Sequence, residues 1–375
     1  MGVQMRPATA VTTALIATAA LGLAGCGSSS STGSSSSSTG SSSGAFLRLV
    51  MGAPLAAAPQ FAPLAVAIDQ GYWKKLGLNV SIKGLKGGTA SVQALIADQA
   101  DVSTEGPPST LGAIASGHPL GTLSFYTWIS KPEFSIAVPA DSPIHSIQDL
   151  KGETIGVVDL GETDALAAKT IISSVLGVSP NEVHAVPIGT GAQAEIALKA
   201  NRVAAYAAGD QGTAALNGIG YPMRELPLPT EAGKTTNTSF ATTKQFYDTK
   251  AGQAELIAFG KGLSEATVFC KANIDACIKI FWKEFPTAAP ANATSDFAKA
   301  SQQIRAILEM RLPKYYADDG KWGYQSIEGL MSNASVLDLK VTTAQAQSLY
   351  TNSLVPAMSD FDEAKIVAAA KAYKD

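Results

Sequence analysis

Beyond residue 45 the apolar positions follow two rhythms that alternate along the chain. Phe46-Leu47-Arg48-Leu49-Val50-Met51 is a short apolar run of strand length, and Leu78, Val80 and Ile82 alternate with polar residues as a half-buried strand does. Between them Phe61, Leu64, Ala65, Ile68 and Tyr72 recur at helical spacing, and Gly77 supplies a stop. Gly87-Gly88-Thr89 then opens a helix carrying Val92, Leu95 and Ile96, with Thr89 the expected N-cap. Residues 101–104 read as a strand. Gly106-Pro107-Pro108-Ser109 starts a helix where proline's missing N–H costs nothing, and Gly117 ends it. The order β-α-β-α-β-α predicts a parallel sheet with helices on its faces.

The order recurs after a crossover. Residues 134–138, 154–158, 183–188 and 203–208 read as strands. Residues 147–152 make a helical turn and stop. A helix runs through Leu166, Thr170, Ile171 and Val175 to Gly177, and another spans 192–200. The strands end in short polar loops, Leu160-Gly161-Glu162-Thr163-Asp164, Gly189-Thr190-Gly191 and Gly209-Asp210-Gln211-Gly212. From about residue 243 onward the pattern is mainly helical, with apolar stripes at 256–268 and 304–312. The 330 residues from 46 to 375 exceed the size at which one core keeps growing, so two lobes are expected.

Charge excludes some partners. The chain has 28 basic and 31 acidic residues, net −3, and its lysines and arginines form no runs, so nothing points to nucleic acid. His118, His145 and His184 are scattered without partners at ligand spacing, so no metal site and no cofactor is expected.

The N-terminus changes the picture of where the chain works. A lone Arg6 precedes an uncharged, largely apolar stretch, 8–23, which is shorter than the roughly 20 residues of a membrane span. Leu23-Ala24-Gly25-Cys26 follows, and residues 27–44 are only Gly, Ser and Thr. The segment resembles a bacterial lipoprotein signal. The resemblance implies that 1–25 is removed, that Cys26 is lipidated, and that the rest lies outside the cytoplasm, anchored to the bacterial membrane. A Gly/Ser/Thr linker over 26–45 has nothing to bury and should act as a tether with a reach of about 25 Å.

One stretch, Ala65-Val66-Ala67-Ile68-Asp69-Gln70-Gly71-Tyr72-Trp73-Lys74-Lys75-Leu76-Gly77-Leu78-Asn79-Val80, resembles the early block of bacterial substrate-binding proteins. The branch is the one serving ABC importers for nitrate, sulfonates, taurine and thiamine-precursor pyrimidines. Gly87-Gly88-Thr89, Ala100-Asp101-Val102, Gly106-Pro107-Pro108-Ser109, the block from Asp149 to Val157, and Tyr350-Thr351-Asn352 with Asp360-Phe361-Asp362 extend the likeness in order. It implies the α/β fold of type II periplasmic binding proteins: two Rossmann-like lobes joined by a two-strand hinge, with a helical C-terminal part. The expected lobes are 46–135 plus 240–375, and 136–235. The implied partners are a small-molecule ligand, a permease with its ATPase, and the membrane through the anchor; the chain is expected to be a monomer and not an enzyme.

In open α/β sheets ligands bind beyond the carboxyl ends of the strands. Here those ends are short loops that open helices, whose free N–H groups suit anions. The residues expected to line the site are Pro54, Phe61, Gly88, Thr89, Pro107, Ser109, Gly161, Glu162, Thr163, Thr190, Gly191, Asp210 and Gln211. The same glycines and threonines could simply cap helices, and Pro54 and Phe61 could pack the lobe. None of the six arginines falls in these loops, while Glu162, Asp164 and Asp210 place carboxylates near them. A small organic anion (a sulfonate, a taurine-like molecule or an aromatic carboxylate, with nitrate or bicarbonate as smaller variants) is the expected ligand. A receptor for a thiamine-precursor pyrimidine, or an enzyme of related fold, is the alternative.

Catalysis finds little support. Gly-Xaa-Ser-Xaa-Gly is absent, Gly87-Gly88-Thr89 lacks the Gly-Lys-Ser/Thr ending of a phosphate loop, and Asp318-Asp319-Gly320 lacks the alternating ligands of a calcium loop. A fungal enzyme of related fold uses a cysteine-rich motif that this chain lacks. Cys270 and Cys277 would stand about 10 Å apart on one straight helix, too far for a disulfide. Asn273 between them reads as a helix end or N-cap, and a tight turn there would bring them together. The residues leave a disulfide and two free thiols both open.

Overall fold

The structure is a computed structural model. It describes residues 44–85, 87–160, 163–315 and 321–374; the signal segment and Cys26 therefore lie outside the described residues. The chain from Ser43 to Asp375 forms one compact unit built on two five-stranded sheets.

The first sheet has the order β2-β1-β3-β10-β4, from β1 (Ala45–Met51), β2 (Leu78–Gly84), β3 (Val102–Glu105), β4 (Thr122–Thr127) and β10 (Ser239–Thr243). The second has the order β7-β6-β8-β5-β9, from β5 (Ala137–Pro139), β6 (Thr154–Val157), β7 (His184–Pro187), β8 (Ala205–Ala207) and β9 (Met223–Glu225). In each, three strands run parallel as their connecting helices require, with Leu49 facing both Ile82 and Val102. The all-parallel expectation fails for the rest. β10 runs antiparallel to β3 and β4, and β5 antiparallel to β8 and β9. The strand expected over 134–138 is confined to Ala137–Pro139.

Two chain crossings, over 128–136 and 226–238, connect the sheets. They hydrogen-bond to each other: Ile129 N–H to Thr238 O, Asn237 N–H to Ile129 O, and Leu226 N–H to Ile136 O, at 2.8–2.9 Å. Two lobes joined by a pair of hydrogen-bonded chain crossings are the result, the second crossing carrying a short 3-10 turn at Ala232–Lys234 in place of the expected hinge strand.

The helices that matter for the site are α1 (Ala62–Asp69), α2 (Gly88–Ile96), α3 (Pro107–Ala115), α4 (Thr163–Leu176), α5 (Ala192–Lys199), α6 (Gly209–Gly218), α7 (Lys250–Ala272), α8 (Ile274–Glu284) and α9 (Gln302–Arg311). The core of the first lobe is aromatic. Phe259 of α7 stacks on Trp73 and meets Phe125 and Phe240 edge-on. The smaller second lobe is filled by Ile136, Val138, Ile155, Val157, Ile171 and Ile172. No helix among the described residues is long and apolar enough to cross a membrane.

Asn273 caps α8, its Oδ1 accepting from Ala276 N–H, and so breaks α7 from α8. The break brings the Cα atoms of Cys270 and Cys277 to 5.0 Å, and the two sulfurs are bonded. A disulfide fits that spacing, whereas one straight helix would not allow it.

Candidate functional site

At the carboxyl ends of the first-lobe strands the backbone is drawn tight. Gly52 N–H donates to Thr104 Oγ1 (3.0 Å), Gly87 N–H donates to Gly52 O (2.8 Å), and Ser91 Oγ donates to Gly88 O and Thr104 O. A Cβ on Gly52 would lie 3.0 Å from Gly88 N, so this approach needs glycine. The N-cap of α2 is Gly87, not Thr89, which sits in the first turn with its side chain exposed. Gly84, at the end of β2, packs against Pro54, which is itself exposed.

In the second lobe three helix starts face the strand ends. Gly209 adopts φ +62°, and a Cβ there would lie 2.9 Å from Asp164 Oδ2 and 3.2 Å from the Glu133 carbonyl. The starts of α4 and α6 are therefore in contact. The segment read as the loop Gly209-Asp210-Gln211-Gly212 is instead the first turn of α6. Its glycines serve packing: a Cβ on Gly212 would meet Ala208 Cβ at 2.6 Å and the Tyr206 ring at 3.0 Å.

Between the lobes lies a cleft of about 430 Å³. Ala53, residues 56–60, and Phe281 and Trp282 of α8 line it from the first lobe; Val158, Thr190, Ala208 and Gln211 line it from the second. Gln303, Ile304 and Ile307 of α9 close one side. Helix α9 lies directly on α6: a Cβ on Gly218 would come within 2.9 Å of Gln303 Cα, and Ala214, Ala215 and Ile307 form a shared apolar cluster.

A four-charge network sits beside this cleft. Arg311, at the end of α9, contacts Asp210 (Nη2 to Oδ1, 2.7 Å) and donates from Nη1 to Glu133. Lys314 donates to the other oxygen of Asp210 and to Pro132 O (2.7 Å). The side chains of Asp210 and Arg311 are each 3% exposed. Burial pushes the Glu133 carboxyl up, against the pull of Arg311. Burial also works against the Arg311 charge, but Glu133 and Asp210 together hold its pKa above the usual value. One turn on, Tyr315 donates its hydroxyl to Gln60 O (2.6 Å) and stacks on Trp128. Segment 311–315 thus ties the first crossing, the second lobe and the cleft wall together.

Of the expected site residues, the structure brings Thr190 and Gln211 into the cleft and Asp210 behind it. Gly191, at φ +55°, precedes α5 beside Thr190. Phe61 is buried against Trp128, with ring centroids 5.1 Å apart, and packs the lobe. Pro54, Gly88 and Thr89 do not line the cleft. Pro107 is buried at the start of α3, against a small cavity of about 10 Å³ shared with Glu105, Thr110, Ser124 and Gln325; Ser109 is half-buried and lines neither cavity. Gly161 and Glu162 lie outside the described residues, and Thr163 begins α4.

Sequence reasoning missed Gln60, Gln303, Glu133, Arg311 and Lys314. One signal was available. Ile304, Ile307, Leu308 and Arg311 share the buried face of α9, so an arginine in phase with an apolar stripe marked a buried ion pair.

The architecture is the type II periplasmic-binding-protein fold. The alkanesulfonate-binding protein SsuA from Xanthomonas axonopodis pv. citri, solved bound to MOPS, superposes with a TM-score of 0.54 at 19% identity, covering 84% of this chain and 97% of that one. The periplasmic aliphatic sulphonate binding protein SsuA from Escherichia coli gives 0.60 at 15% identity, covering 83% and 99%. Residues 58–283, more than half of the chain, match the family described as NMT1/THI5 like, and the chain belongs to that family. A curated relative, the 4-amino-5-hydroxymethyl-2-methylpyrimidine phosphate synthase of Schizosaccharomyces pombe, is 28% identical over 134 residues. That match covers 36% of this chain and only 37% of the relative's length.

Proposed function

We propose that this chain is the solute-binding receptor of an ABC importer, which closes its two lobes on a small organic solute and presents the closed form to a membrane permease with its ATPase. The observation that carries this reading is the cleft of about 430 Å³, walled by both lobes at the carboxyl ends of their strands. The names of the sulfonate-binding structures of the same fold support it. In this reading 46–135 plus 240–375 form one lobe and 136–235 the other, and binding favours the closed form because only that form contacts the ligand from both sides.

The same reading places the receptor outside the cytoplasm. Residues 1–25 are the signal peptide, Cys26 carries acyl chains, and 27–44 are the tether to the membrane. The receptor acts as a monomer and performs no chemistry on its ligand. Sulfonates, taurine-like molecules, aromatic carboxylates and nitrate or bicarbonate are the anions to test. The fungal relative favours a second reading, a receptor for a thiamine-precursor pyrimidine or an enzyme of related fold, and turnover of a bound pyrimidine would identify the enzyme.

Mass spectrometry of ligand co-purified with the mature protein, with small-angle scattering before and after that ligand is removed, tests the receptor. A retained small molecule and a more compact bound form are expected. An empty protein whose scattering no solute changes would overturn the reading.

A further inference from the structure

We infer that the cleft takes an uncharged organic solute with amide or lactam edges, not the anion that its helix starts suggest. The inference rests on the receptor reading and narrows its ligand.

The first observation is what faces the cavity. Among the described residues that line it, none carries a formal charge. The longer polar side chains are three carboxamides, each from a different element: Gln60 from the loop after β1, Gln211 from the first turn of α6, and Gln303 from α9. Thr190 adds a hydroxyl, and Ala, Pro, Val, Ile, Phe and Trp supply most of the rest. The amide nitrogen of Gln303 lies 3.8 Å from the place a Cβ on Gly191 would occupy, so it reaches the start of α5 next to Thr190.

The second observation is that the nearby charges are already matched. Arg311 and Lys314 are held by Asp210 and Glu133, two cations against two carboxylates. An anion seeking Arg311 would have to displace buried carboxylates.

The third concerns the helix starts themselves. Each of the three second-lobe helices carries a carboxylate in its own first turn: Asp164 in α4, Glu195 in α5 and Asp210 in α6. Such a carboxylate makes the helix start less attractive to a second anion, although Glu195 also pairs with Lys199 and Asp210 with Arg311 and Lys314. In α6 the Asp210 N–H is also spent on the Glu133 carbonyl.

A carboxamide offers two donors and a two-lone-pair acceptor without charge. Its natural complement is a group with C=O and N–H side by side. Such a group is desolvated cheaply compared with an ion, which is costly to bury without a partner. The apolar lining holds a compact hydrocarbon or aromatic body.

The test uses pairs that share a body and differ in head group. Benzamide and nicotinamide are titrated calorimetrically into the mature protein lacking co-purified ligand, beside benzoate, nicotinate and benzenesulfonate. The amides are expected to bind at least tenfold tighter than the matching acids. Gln211→Leu and Gln303→Leu are each expected to weaken the amides roughly three- to tenfold, as loss of one neutral hydrogen bond does. Thermal melting of the variants guards against misfolding, and Gln60→Leu supplies a third site. Acids that bind as tightly as the amides overturn the inference and leave the receptor reading standing. Failure of every amide to bind also overturns it; the receptor reading falls separately, on its own mass spectrometry and scattering.

Discussion

Arg311 Nη2 lies 2.7 Å from Oδ1 of Asp210, which joins the end of α9 to the first turn of α6 where both side chains are 3% exposed. The contact is an ion pair more than an aligned hydrogen bond, since Oδ1 lacks a donor in good geometry. Glu133 completes the arrangement from the first crossing.

Removing the arginine would leave two buried carboxylates with only Lys314 between them. Arg311→Met is expected to lower stability by about 3–5 kcal/mol, the usual penalty for orphaning a buried charge. Adding Glu133→Gln and Asp210→Asn should recover part of that loss, because the triple variant removes both buried carboxylates with the arginine and leaves only Lys314, 24% exposed and still bonded to Pro132 O. Urea denaturation monitored by tryptophan fluorescence gives both numbers. A single-variant loss below 1 kcal/mol would mean that the network is solvated in solution.

Glu105 gives a pH dependence. Glu105 is 5% exposed, its carboxylate accepts one hydrogen bond from Thr122 Oγ1 (2.9 Å), and no cation among the described residues pairs with it. Burial pushes its pKa up to about 7. The folded state then holds the proton more tightly than the unfolded chain does. The stability this contributes is complete below about pH 4.5 and is lost as pH rises to about 7, roughly 3 kcal/mol across the window. Tyr350, the other titratable group on that small cavity, is pushed above its ordinary value by burial and does not interfere. Glu105→Gln should abolish this part of the slope. Parallel pH–stability curves for wild type and variant between pH 4.5 and 7 would sink the assignment.

The parallel halves of both sheets were legible because each strand is followed by a helix of clear period and a glycine stop, as at Leu78–Gly84 and Gly88–Ile96. The helix break at Asn273 was legible because asparagine is both a good N-cap and a poor interior residue. β10 and β4 escaped notice: Ser239–Thr243 holds only one large apolar residue, Phe240, and becomes a strand by pairing with β3 across more than 130 positions. Helix α6 was hidden by Gly209 and Gly212, which read as breakers but permit close packing on Tyr206 and beside Asp164. In the cleft, Thr190 and Gln211 were reachable because they follow strands, whereas Gln303 and Arg311 come from a helix about a hundred positions away. Only tertiary packing brings that helix over.

The cysteine pair gives a third expectation. The bond between Cys270 and Cys277 closes a loop of only a few residues and so restrains the unfolded chain modestly. Its removal by Cys270→Ala with Cys277→Ala should cost about 2–3 kcal/mol. Thiol counting on denatured, unreduced protein carrying Cys26→Ser should find none. Two reactive thiols would show that the pair is reduced in the cell.

Anchoring is tested at one atom. If Cys26 is the lipidated residue, Cys26→Ser should abolish incorporation of a fatty-acid probe and move the protein from the membrane fraction to the soluble one. Equal labelling of wild type and variant would remove the tether from the account.

Gly209 should tolerate no side chain without a cost to the cleft. It holds φ +62°, a conformation that costs an L side chain about 1–2 kcal/mol. The new Cβ of Gly209→Ala would also press on Asp164 Oδ2 at 2.9 Å and on the Glu133 carbonyl at 3.2 Å, and the carbonyl cannot rotate away. Relief requires the first turn of α6 to shift, which carries Asp210 away from Arg311 and Gln211 away from the cleft. Two losses should therefore appear together: a drop in stability of about 2–3 kcal/mol, combining backbone strain with a weakened buried pair, and weaker binding of whatever ligand the wild type retains. Gly220→Ala is the control, since Gly220 has φ +86° but no atom within 4 Å of the added Cβ. It should lose stability through backbone strain alone and keep wild-type affinity. Equal loss of affinity in both variants would show that the start of α6 does not shape the cleft.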